Sequence, residues 1–303
     1  VLLHCYSFIL LLVDIAYPEG YAEKLFTKRK RTMKENHTYL KTFDRVIITG
    51  ASSGIGSSII ELILKVNPNV RICNLSRTRP ERFADVSNFF HISCDLRSAE
   101  ETTGAITALR DWLKVKESNS RLMLVNNSGF GTYGVFPTPD TERNVDMLQV
   151  NVCAPVRLTG ELSSELIASQ GAVMNIASTA AFQPTPYLCT YGASKSFLQH
   201  WSLGLAEEWK EKGVRVLAVC PGPTATKFFS EAGFKKSPLK KGTGMTAEQV
   251  AVISLRALDK GKTLVTCGWI NRFLASFTAK LPKVCAARVT AVIMRKLRLE
   301  RHQ

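Results

Sequence analysis

Tyr191 and Lys195 stand four residues apart in the run YGASK. On a helix that spacing puts both side chains on one face. An ammonium beside a phenol favours the phenolate and draws its pKa down from about 10 toward neutrality. A tyrosine tuned in this way gives a proton to a carbonyl oxygen or takes one from an alcohol. Ser178 ends the apolar run AVMNIAS thirteen residues before Tyr191. The segment between them carries Pro184 and Pro186, so it reads as a loop that folds Ser178 back toward Tyr191. A hydroxyl placed there hydrogen-bonds the oxygen of a substrate. By itself Y-x-x-x-K is a common pattern, and a surface tyrosine and lysine one helical turn apart satisfy it equally.

A second group of residues suits a phosphate-bearing ligand. Thr49-Gly50-Ala51-Ser52-Ser53-Gly54-Ile55-Gly56 follows a β-branched run and opens a helical one. A side chain at Gly50 or Gly54 would keep the backbone away from a pyrophosphate, and Gly56 lets the helix pack on the strand. The helix N-terminus then presents free N–H groups to the phosphates. The spacing is G-x-x-x-G-x-G rather than G-x-G-x-x-G, so position between strand and helix carries the argument. The alternative is a tight turn with no ligand. The next strand ends in Asn74-Leu75-Ser76-Arg77. An acid there would hold a ribose 2′-hydroxyl, and none is present. Arg77 suits a 2′-phosphate instead, so NADP(H) is preferred over NAD(H). The alternative for Arg77 is a solvated arginine among Arg71, Arg79 and Arg82.

These groups need elements to hold them. From Arg45 onward, short β-branched runs alternate with longer helical stretches. The strand candidates are 45–49, 70–75, 89–93, 121–125, 172–177, 214–220 and 263–266. Helical patterns fall between them at 55–66, 98–115, 141–169, 192–211 and 246–259. Continuously apolar strands separated by helices predict a parallel sheet covered on both faces. Seven of them predict one α/β domain, a Rossmann-type doubly wound sheet. The stretch 225–245 breaks the rhythm with Gly, Lys and Pro just after a strand, where such proteins place ligand loops. Its Phe228, Phe229 and Phe234 would line an apolar entrance or pack beneath a lid.

The 303 residues divide into an extension at 1–44, this domain at 45–268 and a tail at 269–303. Apolar residues make up 45% and charged residues 21%, which excludes wholesale disorder and collagen-like repeats. No run reaches the ~18–20 apolar residues of a spanning helix. A net charge of +15 suits nucleic acid, an anionic membrane or an anionic small molecule. The tail holds eight Lys or Arg against one Glu, and residues 1–48 hold eight against five acids, so only +5 falls on the centre. With no recognised nucleic-acid module either, a nucleic-acid partner is not expected. Eight cysteines without a C-x-x-C pair or a His cluster read as buried reduced thiols of a cytoplasmic chain. Residues 1–13 are apolar and Lys28 to Arg31 are all basic. They form either a weak anchor with a basic flank or an extension upstream of a native start near Met33. The tail interleaves apolar and basic residues at near-helical spacing, and Pro282 should divide it. It either lies on the inner face of an anionic membrane as a peripheral contact, or packs its apolar side on the domain or a partner subunit.

Taken together, the motifs carry a resemblance. TGASSGIG (49–56), CDL (94–96), NNSG (126–129), Asn151 in VNVCAP, Ser178, YGASK (191–195) and PGPTAT (221–226) stand in one order. In this, residues 45–268 resemble the short-chain dehydrogenase/reductase family. NNSG stands where that family usually has NNAG, a small change. The phrasing NNSGFGTYG and ASTAAFQPTPYLCTYGASK is most similar to the bacterial DltE-like branch. The resemblance implies an oxidoreductase moving a hydride between nicotinamide and a carbonyl or secondary alcohol. In it Tyr191 is the general acid/base, Lys195 lowers its pKa and holds the nicotinamide ribose, and Ser178 positions the carbonyl. Asn151 would hold a water in a proton relay to Lys195; otherwise it is a buried polar residue in a helix. Asp95 would bond the adenine amino group, or else cap its loop, and Leu96 would donate its backbone N–H. Ser52, Ser53 and Ile55 would meet the cofactor inside the glycine turn. Asn126, Asn127 and Gly129 would line it near the fourth strand. Pro221 and Gly222 would turn beneath the nicotinamide, with Thr224 and Thr226 near its carboxamide and phosphates. A homodimer or homotetramer is also implied. Two other functions stay open: a membrane-associated reductase of lipid or long-chain keto substrates, and a non-catalytic NADP-binding regulatory protein. The intact Asn151, Ser178, Tyr191 and Lys195 set favours an enzyme.

Overall fold

The seven apolar runs become one parallel sheet. Its strands are β1 Phe43–Thr49, β2 Arg71–Ser76, β3 Phe89–Ser93, β4 Arg121–Asn126, β5 Ala172–Ile176, β6 Arg215–Cys220 and β9 Leu264–Thr266. A short parallel ribbon, β7 Thr224–Ala225 with β8 Met245–Thr246, stands apart from it. The computed structural model describes residues 38–114, 121–234 and 244–299, with side chains through Arg295 in the last helix. The apolar run at 1–13, the basic cluster and Met33 lie outside the described residues, as does the 235–243 part of the loop after β7.

The strand order is β3-β2-β1-β4-β5-β6-β9. Side chains alternate between the two faces of the sheet. Val46 and Ile48 enter one core with Ile59, Ile60 and Val250, while Ile47 enters the other with Cys73, Leu109 and Leu124. Each fully buried aliphatic of this kind contributes roughly 1.5–3 kcal/mol. Burial on both faces fixes the register, with Ile47 beside Cys73 on β2 and Leu124 on β4. The chain runs outward from β1 to β3 and then returns to β4, so the loops after β1 and β4 part at the C-terminal edge. That divergence opens a crevice.

The helices are α1 Gly54–Val66, α2 Ala99–Leu113, α3 Thr141–Leu148, α4 Ala154–Glu161, α5 Ser163–Ala168, α6 Cys189–Glu208, α7 Phe228–Glu231, α8 Ala247–Asp259, α9 Trp269–Lys280 and α10 Lys283–Leu299. The single helix read over 141–169 is interrupted at a π-helical turn, Gln149–Cys153, and again at Leu162. Pro155 supplies a cause: it has no N–H for the carbonyl of Asn151, and its ring crowds that oxygen. A π-turn relieves the conflict and turns Asn151 inward. Helix α6 starts three residues earlier than the pattern suggests and so takes in Tyr191.

Pro282 does divide the tail, and both pieces pack an inner face on the domain. Ala275 and Ala286 are buried, Asn271 donates to the Cys267 carbonyl (2.8 Å), and Lys283 reaches the Phe182 carbonyl (3.3 Å). The seven described cysteines are free thiols; Cys73, Cys94, Cys220 and Cys267 are buried as expected, but Cys153 and Cys189 are exposed.

Candidate active site

The crevice deepens into a cleft of about 710 Å3 that runs from the end of β2 to the last helix. At one end the turn after β1 forms its wall. Gly50 and Gly54 take φ of +70° and +61°, a region that disfavours any side chain. A Cβ at Gly56 would stand 2.5 Å from Asn127 Nδ2 and 2.8 Å from the Gly50 carbonyl, so this glycine seats α1 on the sheet and does not line the cleft. Asn127 locks the two diverging loops together. Its Nδ2 donates to the carbonyls of Thr49 and Gly50, both at 2.9 Å, and its N–H reaches Thr49 Oγ1 at 3.0 Å. Asn74 braces the same turn by accepting from the Ala51 N–H at 3.0 Å.

Helix α1 opens onto this wall without a side-chain cap at Ser53 and without an acid in its first turn. Its leading N–H groups are therefore offered to an anion. Ser52, Ser53 and Ile55 line the same stretch. Arg77 stands exposed at the end of β2, also on the cleft. Further along, Asp95 accepts from the Arg97 backbone and from its Nε, at 2.9–3.0 Å. That is a loop cap, and the Arg97 side chain beside it holds the Asp95 carboxyl below the usual range. Asp95 and Leu96 nonetheless line the cleft, as the sequence reading required of them.

The reactive end sits where β5, β6 and α6 converge. Tyr191 and Lys195 are both buried and both line the cleft, with Lys195 Nζ 5.9 Å from the phenol ring centre. Ser178 stands beside the phenol, and its Oγ accepts from the Ala180 N–H at 3.1 Å. Lys195 Nζ donates to the Ile176 carbonyl at 2.9 Å. The phenol departs from the sequence reading. Burial pushes the Tyr191 hydroxyl up to about 12, rather than down toward neutrality. Burial also draws Lys195 down, to about 8. Burial favours the neutral form of each, yet at about 8 Lys195 still carries its proton at neutral pH.

Asn126 and Asn151 both have protein partners. Asn126 points into the protein, donating to Asn175 Oδ1 at 2.7 Å and Thr159 Oγ1 at 3.2 Å. Strand alternation explains this: Asn127, not Asn126, faces the crevice. Asn151 is fully buried, bridging Phe130 and Ser194; its Nδ2 donates to the Phe130 carbonyl and Ser194 Oγ, both at 3.0 Å, and its Oδ1 accepts from the Phe130 N–H. Gly129 passes between these parts. A Cβ there would lie 2.9 Å from Asn151 Oδ1 and 3.0 Å from Lys195 Nζ. Pro221, Gly222, Thr224 and Thr226 line the wall opposite Gly129.

The sequence reading expected Phe228 at an apolar entrance but missed its other neighbours on the far wall. Thr290 and Met294, from α10, line the cleft. Phe228 stands beside Tyr191 with ring centres 5.1 Å apart, in the space that Gly131 leaves. Arg143 lies 4.0 Å over the Phe130 ring. No spacing signals these contacts, because each depends on where a loop or tail returns in space.

A family model described as short chain dehydrogenase matches residues 44–236. The chain belongs to that family. As a short-chain dehydrogenase it is an NAD(P)-dependent oxidoreductase. It is 31% identical over 190 residues to hydroxysteroid dehydrogenase-like protein 1 of Gallus gallus, spanning 61% of this chain and 56% of that protein. It is 30% identical over 246 residues to very-long-chain 3-oxoacyl-CoA reductase of Anas platyrhynchos, spanning 77% and 76%. The uncharacterized oxidoreductase DltE of Bacillus subtilis is 28% identical over 229 residues, so the DltE-like branch is not singled out. Among solved structures, a short chain dehydrogenase from Burkholderia cenocepacia in complex with NADP superposes with a TM-score of 0.67 at 22% identity. That superposition covers 82% of this chain and 97% of the other, and speaks for the fold. The geometry of this chain fits a dinucleotide: an uncapped helix start and two left-handed glycines lie at one end of the cleft, and the buried Tyr191 and Lys195 lie at the other.

Proposed function

We propose that this dehydrogenase reduces a carbonyl compound with NADPH, and that Tyr191 is the proton donor. The observation that carries the reading is the convergence of Ser178, Tyr191 and Lys195 at one end of a cleft whose other end is the uncapped start of α1. Tyr191 is buried beside Ser178, with Lys195 Nζ 5.9 Å from its ring centre. A protonated phenol so placed gives its proton to a carbonyl oxygen as hydride arrives. Ser178 holds the carbonyl oxygen beside the phenol. As the proton leaves, Lys195 one turn along offsets the charge on the phenolate oxygen. Asn151 acts as a positioning residue, because it fixes the Gly129–Phe130 backbone against α6 through Ser194. The nicotinamide supplies the hydride when bound. Gly50, Ser52, Ser53, Gly54 and the start of α1 would hold its pyrophosphate. Asp95 and Leu96 would hold the adenine, and Lys195 the nicotinamide ribose. The absence of an acid at the end of β2, with Arg77 in its place, supports NADPH over NADH. Phe228, Thr290 and Met294 give the carbonyl an apolar flank, which favours a substrate with an apolar group beside the reacting carbon.

The test is NADPH oxidation by the purified protein across carbonyls from small aldehydes to long-chain ketones, with Tyr191→Phe alongside. Turnover is expected on apolar carbonyls, falling about 10²–10⁴-fold in the variant while NADPH binding persists. NADPH binding with no turnover on any carbonyl would return the non-catalytic reading, and no binding would sink the site assignment.

A further inference from the structure

Helix α10 has two faces. One carries Ala286, Thr290 and Met294, and it is set on the cleft. The other carries Val284, Arg288, Val292 and Arg295 at helical spacing, all exposed. Helix α9 repeats the arrangement, with Asn271, Ala275 and Thr278 inward and Trp269, Arg272, Phe273 and Lys280 outward. The outward faces are not ordinary surface. Trp269 is 56% exposed, Phe273 51% and Val284 65%. Residues 269–299 hold seven Lys or Arg and no Asp or Glu. The adjoining loop continues the patch: Tyr133 donates to the Met294 carbonyl, and Val135 and Phe136, just beyond it, are exposed. Among the described residues no helix is long and apolar enough to cross a membrane.

We propose that this face docks the enzyme on an anionic lipid bilayer, with the mouth of the cleft against the membrane. Interleaved apolar and cationic residues on two successive amphipathic helices suit the headgroup boundary, where rings enter the acyl edge and cations meet anionic headgroups. An acidic protein surface would satisfy the cations but leave Trp269, Phe273 and Phe136 without an apolar phase. The inner face of α10 borders the cleft and its outer face would meet lipid, so an apolar carbonyl substrate would pass from the bilayer to Tyr191 along one helix. Five rings continue that route inward. Tyr191, Phe228, Phe229, Phe234 and Tyr133 follow one another with centres 4.0–5.6 Å apart, ending against α10. This step rests on the carbonyl-reductase reading for its substrate, but not for the docking itself.

The test uses the full chain, with vesicles of phosphatidylcholine alone or mixed with phosphatidylserine. Co-sedimentation is expected with the anionic vesicles at low salt and is expected to weaken in high salt. Each cation reversed among Arg272, Arg288 and Arg295 should lower the affinity about fivefold or more. Emission from Trp269 should shift to the blue on binding, and that shift should be missing in Trp269→Phe. NADPH turnover on a water-soluble carbonyl should be unchanged in all these variants, which also confirms that they fold. Milder Arg→Gln changes give the same readout if the reversals misfold. The proposal is overturned by absent binding, by equal binding to neutral vesicles, or by binding that the variants leave intact. Failure of the enzyme reading looks different: vesicle binding persists, but no carbonyl is reduced.

Discussion

Burying Lys195, the residue proposed to hold the nicotinamide ribose, costs stability that can be measured. Burial draws its pKa from 10.5 to about 8. At about 1.36 kcal/mol per unit, that shift corresponds to roughly 3 kcal/mol lost on folding at neutral pH. Removing the amine also removes its hydrogen bond to the Ile176 carbonyl, which is about 1 kcal/mol the other way. Lys195→Met should therefore be inactive yet more stable by about 2 kcal/mol at pH 7. The sign of the pH dependence follows from the lowered pKa. Between about 8 and 10.5 the unfolded lysine holds a proton that the folded one lacks, so wild-type stability rises with pH across that window. The advantage of the variant is full below pH 8 and gone above 10.5, as paired denaturant melts at several pH values would read. An advantage that does not change with pH would mean that repacking, not charge, explains it. Arg77 offers a second measurement at this scale. Arg77→Gln should raise KM for NADPH about 10–100-fold and leave KM for NADH nearly unchanged, since a charge-assisted phosphate contact is worth ~1.5–3 kcal/mol. A parallel rise for both cofactors would point to a general fault in the cleft.

Among the elements, Gly222 and Asn271 couple the loop after β6 to α9. A Cβ on Gly222 would stand 2.3 Å from Asn271 Nδ2, which is itself bound to the Cys267 carbonyl. Gly222→Ala should cost about 1–3 kcal/mol through this overlap. Adding Asn271→Ala should return part of the loss, so the two changes should fail to add in a denaturation cycle. Additive losses would place the strain elsewhere. This coupling also marks the limit of what the sequence tells. The seven strands were legible because each is a continuous apolar run buried on both faces, as at Val46, Ile47 and Ile48. The glycine turn, Ser178, Tyr191 and Lys195 were legible because their chemistry is tied to short local spacing. Asn126 was misplaced because its motif does not say which face of β4 each asparagine takes. The rise of the Tyr191 pKa has no trace in the spacing, which gives the neighbour but not the burial. The break at Gln149–Cys153 has only Pro155 as a trace, and the return of α10 to the cleft has none, because it rests on contacts between residues some 160 positions apart, such as Tyr133 and Met294.

For the whole molecule, most of the exposed large apolar side chains outside the docking face lie on three helices. Val145 and Leu148 on α3, Val156 on α4 and Phe197 on α6 are 38–43% exposed. Trp201, one turn past Phe197, stacks on it with ring centres 6.3 Å apart. Asn151 ties these helices together through Ser194, so the side chains belong to one rigid face. A patch of this kind on a pair of packed helices suits a self-complementary contact between two copies of the chain. The expected state is a homodimer, read by light scattering at micromolar concentration. Replacing Val156 and Phe197 by Asp should give a monomer, because two carboxylates would be buried in each half of the contact. The cleft opens at the C-terminal edge of the sheet, and Val145, Leu148, Val156 and Phe197 are not among its lining residues. The monomer should therefore keep its NADPH turnover while its thermal midpoint falls, since the contact binds only the folded state. A monomeric wild type would refute the dimer, and a monomeric variant that folds but no longer turns over would show that the partner shapes α6 and, through it, Tyr191 and Lys195.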